Sequence, residues 1–72
     1  MERKCFVVFN ETSGLATGKI VQGEEVVKEL SFYLGKLQKS EPTYVEDLIR
    51  KRYSDWAKVN GVAEIHVEHT NS

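Results

Sequence analysis

Residues 24–39 have the sequence EEVVKELSFYLGKLQK, in which apolar side chains recur at intervals of three and four residues. This spacing is typical of one face of an α-helix, because a helix turns once in about 3.6 residues. Gly23 precedes the stretch, and Glu24 and Glu25 open it, where the positive end of the helix dipole favours negative charge. The stretch therefore predicts a first helix that begins at Gly23 and runs to about Lys39.

A second stretch with the same spacing covers residues 43–59, TYVEDLIRKRYSDWAKV. Its apolar face would carry a valine, a leucine, an isoleucine, a tyrosine and a tryptophan. Asn60 and Gly61 follow it, and glycine suits the left-handed residue that commonly ends a helix. This stretch predicts a second helix, separated from the first by a break at Pro42.

The segments outside the two predicted helices favour strands. Residues 4–9 contain a run of apolar side chains with high β propensity, which is typical of a central strand. Residues 10–14, Asn-Glu-Thr-Ser-Gly, are turn formers and predict a reversal of the chain into a second strand at residues 15–22. Residues 62–68 alternate apolar and polar side chains, which predicts a third strand.

The predicted order is strand, strand, helix, helix, strand, and it indicates an α+β fold. We expect a two-layer ββααβ domain in which a helical hairpin packs on one face of a three-stranded sheet. The first two strands should form an antiparallel hairpin, and the position of the third strand stays open. The chain is long enough for one small domain, residues 1–72, in which residues 70–72 are expected to fray.

The composition limits the function classes. Ten Lys and Arg residues stand against eleven Asp and Glu residues, so the whole chain lacks the basic excess of a typical nucleic-acid binder. Cys5 is the single cysteine, which excludes an internal disulfide and fits a reducing compartment. The sequence shows no signal peptide or membrane-spanning stretch. These features predict a cytoplasmic protein.

No motif in the sequence predicts catalysis or cofactor binding. Residues 14–20, GLATGKI, differ from a phosphate-binding loop in the spacing to the lysine, and Ile20 replaces the hydroxyl that would bind magnesium. Cys5 lies in an apolar strand, where a thiol is usually inert. His66 and His69 would point to opposite faces of a strand, so they would not share a metal ion. We therefore expect no enzyme activity, no cofactor and no metal.

Phe32 is the candidate for binding another protein. On the predicted first helix it falls nearly opposite the apolar stripe, among the charged residues Glu25, Lys28 and Lys36. A large apolar side chain surrounded by charge suggests contact with a partner. The alternative is that Phe32 covers one edge of the core.

A basic patch on the predicted second helix supports a different partner. Arg50, Lys51 and Lys58 would spread over its outer face, with Tyr53 beside them. Such a patch could bind phosphates, although interspersed acidic residues would reduce its field. A solvated helix face with ion pairs is the other interpretation.

The sequence therefore favours a small non-enzymatic protein-binding module of adaptor or inhibitor type. Many very short proteins of phages and mobile elements block a larger host complex, and this chain would fit that role. The alternative is a small nucleic-acid-binding protein that uses the basic face of the second helix. The sequence also leaves a homodimer open, because a domain this small gains buried surface by self-association.

Overall fold

The computed structural model describes residues 2–35 and 42–70. In chain order the elements are β1 (Arg3–Asn10), β2 (Leu15–Gln22), β3 (Glu25–Tyr33), α1 (Pro42–Val59) and β4 (Ile65–Thr70). The strands form a four-stranded mixed sheet in the order β3-β2-β1-β4. The fold is α+β, with the sheet as one layer and α1 as the other.

The prediction of a three-stranded sheet with a helical hairpin is wrong. Residues 25–33, which were expected in the first helix, form the edge strand β3. Gly23 has a φ of 66° and is the first residue of a two-residue loop, the position at which tight hairpin turns require glycine. The chain therefore turns back after β2, and β3 pairs with β2 in antiparallel register. Leu34 and Gly35 follow β3 in neither a helix nor a strand, and residues 36–39 of the expected helix lie outside the described residues.

The hairpin of β1 and β2 is confirmed. The two strands are antiparallel over their full length, from Arg3 opposite Gln22 to Asn10 opposite Leu15. Asn10 organises the turn: its side-chain oxygen accepts hydrogen bonds from the backbone N–H groups of residues 12 and 13, at 2.9 and 3.1 Å. Asparagine favours this local arrangement because its short side chain can reach the backbone two residues further on.

The last strand, β4, lies beside β1 and runs parallel to it, with Cys5 opposite Ile65 and Asn10 opposite Thr70. The helix α1 precedes β4 and supplies the crossover that a parallel pair requires. β1 is therefore an interior strand of the sheet, between β2 and β4. Thr70 is the last residue of β4, and its carbonyl oxygen accepts a hydrogen bond of 2.7 Å from the N–H of Glu11.

The core lies between one face of the sheet and α1. The helix contributes side chains at four-residue intervals, so they share one face and are all buried: Val45, Ile49, Tyr53 and Ala57. The sheet contributes alternate residues of its inner strands and one of β4: Cys5, Val7, Phe9, Ala16, Ile20 and Ile65. Among the described residues, no helix or strand packs on the opposite face of the sheet.

Candidate functional site

The side of the sheet that faces away from α1 carries large apolar side chains that are partly exposed. Along β1 the alternation is regular: Cys5, Val7 and Phe9 are buried under the helix, whereas Phe6 and Val8 point the other way and are 42% and 38% exposed. Because successive side chains of a strand point to opposite faces, the strand register extends this second face across the sheet.

We call this second surface the open sheet face. It consists of the residues of β1 to β4 that alternate with those facing α1. By the strand register its members are Lys4, Phe6, Val8, Asn10, Leu15, Thr17, Lys19, Val21, Val26, Glu29, Ser31, Tyr33, His66, Glu68 and Thr70.

The apolar members of the open sheet face form a curved stripe, which begins and ends on β3 and bends through β2 to β1. Phe6 and Val8 occupy its centre on β1, and the stripe continues to one corner through Leu15 and to the other through Val21. The corners on β3 are Tyr33, which lies opposite Leu15 and is 70% exposed, and Val26, which lies opposite Val21 and is 49% exposed. The stripe therefore runs from one end of β3 to its other end by way of β1, and the polar residues between its two arms are Thr17, Lys19, Glu29 and Ser31.

Phe6 stands between two hollows on this face. One, of about 400 Å³, is lined by Val8, Leu15 and neighbouring polar residues. The other, of about 350 Å³, is lined by Lys4 and Val21, with Glu2 and Gly23 beside them. The ring of His66, on the edge strand β4, stacks against Phe6 with 5.3 Å between ring centroids and 24° between ring planes. The arrangement is a ridge with a depression on either side.

The charges of the open sheet face cancel. Lys4 and Lys19 are positive, and Glu29 and Glu68 are negative. Lys19 lies directly opposite Glu29 in the β2–β3 register, where opposite charges favour each other. The face is therefore electrically balanced, and it has no excess of positive charge that would attract phosphate.

The structure places Phe32 elsewhere than the sequence predicted. Phe32 does not lie on an outward helix face; it is on the inner face of β3, half-buried, with its ring 5.1 Å from the ring of Tyr53 at 75°. Its neighbours Glu25 and Lys28 are exposed on the edge strand, and Lys36 lies outside the described residues. The predicted cluster around Phe32 is therefore not a surface of one helix, and its contact with a partner stays a prediction.

The four residues of the predicted nucleic-acid patch are divided by the fold. Arg50, Lys51 and Lys58 are exposed on α1, but Tyr53 is fully buried between α1 and the sheet. The guanidinium group of Arg50 donates a hydrogen bond to the carbonyl oxygen of Ile65, so it helps to attach α1 to β4. The side chains of Lys51 and Lys58 are exposed on α1, so they are the members of this patch that face solvent.

The ionisable groups of the core are held in their neutral forms. Burial raises the pKa of Tyr53 to about 12, and the neighbouring Cys5 acts in the same direction when it is ionised. Burial also raises the pKa of the Cys5 thiol above its usual value. A thiol that is buried and resists ionisation is a poor nucleophile, so Cys5 has a packing role in this site.

His69 lies at the end of β4 between two carboxylates. Its Nδ1 is 3.6 Å from an oxygen of Glu11 in the β1–β2 turn, and its Nε2 is 3.8 Å from an oxygen of Glu46 on α1. The two carboxylates approach opposite sides of the ring, so the three groups do not converge on one point. Across residues 2–35 and 42–70, no group of three or more His, Cys, Asp or Glu side chains is arranged to hold a metal ion.

Sequence reasoning missed the open sheet face. It predicted β1 as a central strand from its run of apolar residues, in which Phe6 and Val8 are as apolar as Cys5 and Val7, so neither face stood out as open. The signal that could have found the face is the two-residue loop that begins at Gly23, because it makes residues 25–33 a third antiparallel strand. One helix then remains in the described chain, and it can cover only one of the two faces of the sheet.

Comparisons with protein families, with curated proteins and with solved structures give no match to this chain. The helix of the described chain is not apolar enough to cross a membrane.

Proposed function

We propose that this chain is a small non-enzymatic protein-binding module, of adaptor or inhibitor type, that docks through the open sheet face. The observation that carries the proposal is the curved apolar stripe with Phe6 and Val8 at its middle, on the face that α1 does not cover. Large apolar side chains that are grouped on one exposed face, with polar residues around them, are characteristic of protein interfaces.

The stripe has the composition that stabilises an interface. Fully burying a Phe or Leu side chain contributes about 1.5–3 kcal/mol relative to leaving it exposed. Phe6 and Leu15 each keep 42% of their surface accessible in the monomer, and Tyr33 keeps 70%. Aromatic residues near the centre of a patch carry a large share of the binding energy of typical interfaces. Docking would therefore remove water from surface that the fold leaves accessible.

Position-specific crosslinking tests the proposal. A photoreactive side chain is introduced at Lys19, which is exposed next to Phe6 on the open sheet face, and separately at Lys51, which is exposed on α1. In an extract of cells that make the protein, we expect protein adducts from position 19. The same adducts should disappear when Phe6→Glu is added, because a charge at the centre of the stripe opposes its burial.

Position 51 is the matched control, because it lies on the opposite side of the molecule. Adducts that form from position 51 and not from position 19 would contradict docking through the sheet. Adducts from position 19 that persist in the Phe6→Glu variant would contradict the role of the apolar stripe.

The second candidate function, nucleic-acid binding through the helix, rests on the exposed basic side chains Lys51 and Lys58. Exposed acidic residues on the same helix, Asp47 and Asp55, reduce its attraction for phosphate. A salt titration separates the two functions, because phosphate contacts weaken steeply as the salt concentration rises and an apolar interface does not. Binding to single- or double-stranded DNA or RNA that is lost in Lys51→Gln/Lys58→Gln would favour this second function.

A further inference from the structure

We infer that the protein bound by the open sheet face is a second copy of this chain, packed face to face about a two-fold axis that crosses the strands between Phe6 and Val8. The inference rests on the proposed function, since it names the partner of the same surface. It depends on a regularity in the strand register: the apolar and polar positions of the face have a two-fold pattern of their own.

The register divides the open sheet face into four rows that run across the strands. Each row contains residues that are directly opposite one another in neighbouring strands. Row 1 is Asn10, Leu15, Tyr33 and Thr70; row 2 is Val8, Thr17, Ser31 and Glu68; row 3 is Phe6, Lys19, Glu29 and His66; row 4 is Lys4, Val21 and Val26.

The two-fold axis lies between rows 2 and 3, perpendicular to the strands and parallel to the sheet. Rotation about it places row 3 of one copy over row 2 of the other. It also brings row 4 onto row 1. Each strand then lies over the same strand of the other copy. On β1, Phe6 faces Val8 of the second copy, and Val8 faces its Phe6.

The apolar positions of β2 and β3 also coincide under this operation. Val21 faces Leu15 of the other copy, and Val26 faces its Tyr33. All six members of the apolar stripe therefore meet an apolar residue of the second copy. A closed two-fold dimer requires a self-complementary surface of this kind, since the same patch serves both partners. An unrelated partner would not require it.

The polar positions match in the same way. His66 faces Glu68 of the second copy, so an imidazole meets a carboxylate on the edge strand. Lys19 faces Thr17, Lys4 faces Asn10, and Glu29 faces Ser31. No two like charges lie opposite each other, and the face as a whole is neutral, so two copies can approach without repulsion.

The area of the face suits a weak, reversible dimer. Four strands spaced about 4.8 Å apart, with rows that span about 20 Å along them, give a projected footprint on the order of 400 Å². Side-chain relief brings the surface buried by two copies to on the order of 1,000 Å², at the lower limit of specific interfaces. Two sheets packed in this way would form a sandwich with a helix on each outer side.

Sedimentation equilibrium of the purified full chain tests the inference, over concentrations from about 1 μM to about 1 mM, which cover the range of weak dimers. We expect a monomer–dimer equilibrium in the wild type and a dissociation constant at least about tenfold higher in Phe6→Glu. Val59→Glu is the matched control: Val59 is 86% exposed at the end of α1, away from the sheet, and its replacement should leave the equilibrium unchanged. Circular dichroism of each variant establishes that it is folded.

A charge pair tests the axis itself. Phe6→Glu and Val8→Lys should each weaken the dimer, because each sets a charge against an apolar side chain of the other copy. The double variant Phe6→Glu/Val8→Lys sets Glu against Lys at both places and should recover dimerisation relative to either single variant. A double variant that remains as weak as the single ones would overturn the proposed axis.

A wild type that stays monomeric throughout, or a dimer that Phe6→Glu leaves intact, would overturn the inference. The crosslinking experiment then tests the proposed function separately. Adducts from position 19 with a different protein, lost in Phe6→Glu, would keep docking through the open sheet face and change only its partner. Absence of any protein adduct from position 19 would contradict both the proposed function and the inference of a dimer.

Discussion

Gly18 in β2 lies directly beneath the ring of Tyr53, so closely that a Cβ atom at position 18 would overlap Cε1 of the ring. The hydroxyl group of the same tyrosine lies 2.8 Å from the carbonyl oxygen of Leu30 and 3.1 Å from that of Ala16. The absence of a side chain at Gly18 therefore allows α1 to pack closely on the sheet. Through this contact α1 is fixed to β2 and β3 together.

Replacing Gly18 with alanine should destabilise the fold strongly. The added methyl group would overlap a ring that is fully buried and held by hydrogen bonds, so the helix or the sheet must move. We expect a loss of about 3 kcal/mol in the free energy of unfolding, at the upper end of the range for overpacked cores. Urea denaturation, followed by circular dichroism, measures it as a lower midpoint.

Gly61→Ala is the control for this prediction. Gly61 has a φ of 77° but no atom near its Cβ position, so its replacement should cost only the backbone strain of about 1 kcal/mol. Equal losses for the two variants would argue against the close approach of Gly18 and Tyr53.

Tyr53→Phe removes the hydroxyl group and keeps the ring. The carbonyl oxygens of Leu30 and Ala16 would lose a buried donor, and we expect the free energy of unfolding to fall by about 1–2 kcal/mol. Tyr44→Phe is the matched control, because Tyr44 is exposed on the same helix and its replacement should change the free energy of unfolding by less than about 0.5 kcal/mol. A Tyr53→Phe variant as stable as the wild type would show that the hydroxyl contributes nothing net.

The raised pKa of Tyr53 predicts a loss of stability at alkaline pH. The folded state holds the hydroxyl neutral up to about pH 12, whereas the unfolded chain ionises near its ordinary value of 10. The stabilisation is therefore complete below pH 10 and is lost as the pH rises towards 12, because only the unfolded state then releases the proton. A shift of about two pKa units corresponds to about 2–3 kcal/mol.

Unfolding by urea at a series of pH values between 8 and 12 measures this dependence. The Tyr53→Phe variant retains Cys5 and every other titrating group, so the difference between the two proteins isolates the tyrosine. Parallel curves for the two proteins across this interval would rule out the predicted contribution.

The sequence predicted the β1–β2 hairpin, a helix over residues 43–59 and a final strand over residues 62–68, because each has a regular pattern. The structure has the hairpin, with the helix at Pro42–Val59 and the last strand at Ile65–Thr70. The prediction failed at β3 because of a β-bulge. The register shifts between Ile20 and Val21, so Val27 is an extra residue on the bulged strand. Val27 and Leu30 of β3 and Leu34, the residue after it, therefore pack against the core at intervals of three and four residues, which match a helix.

The wrong prediction for Phe32 followed from the error at β3. On the predicted first helix, Phe32 would be an isolated aromatic residue on the surface. In the bulged strand β3 it alternates with Tyr33, and Tyr33 is the exposed residue of the two. Which face of an apolar strand such as β1 is covered depends on elements distant in sequence. The residue types of Phe6 and Val8 carry no information about it, because packing across the sheet decides it.

Two neighbouring valines of β1 provide the most direct test of which face is open. Val7 is completely buried under α1, whereas Val8 is 38% exposed on the open sheet face. Val7→Ala should lower the free energy of unfolding by about 2 kcal/mol, since it removes two buried methyl groups and leaves a cavity. Val8→Ala should lower it by less than about 1 kcal/mol, because its methyl groups are already partly hydrated. Urea denaturation below the concentration at which the chain associates makes the comparison, and a larger loss for Val8 than for Val7 would place the core on the other side of the sheet.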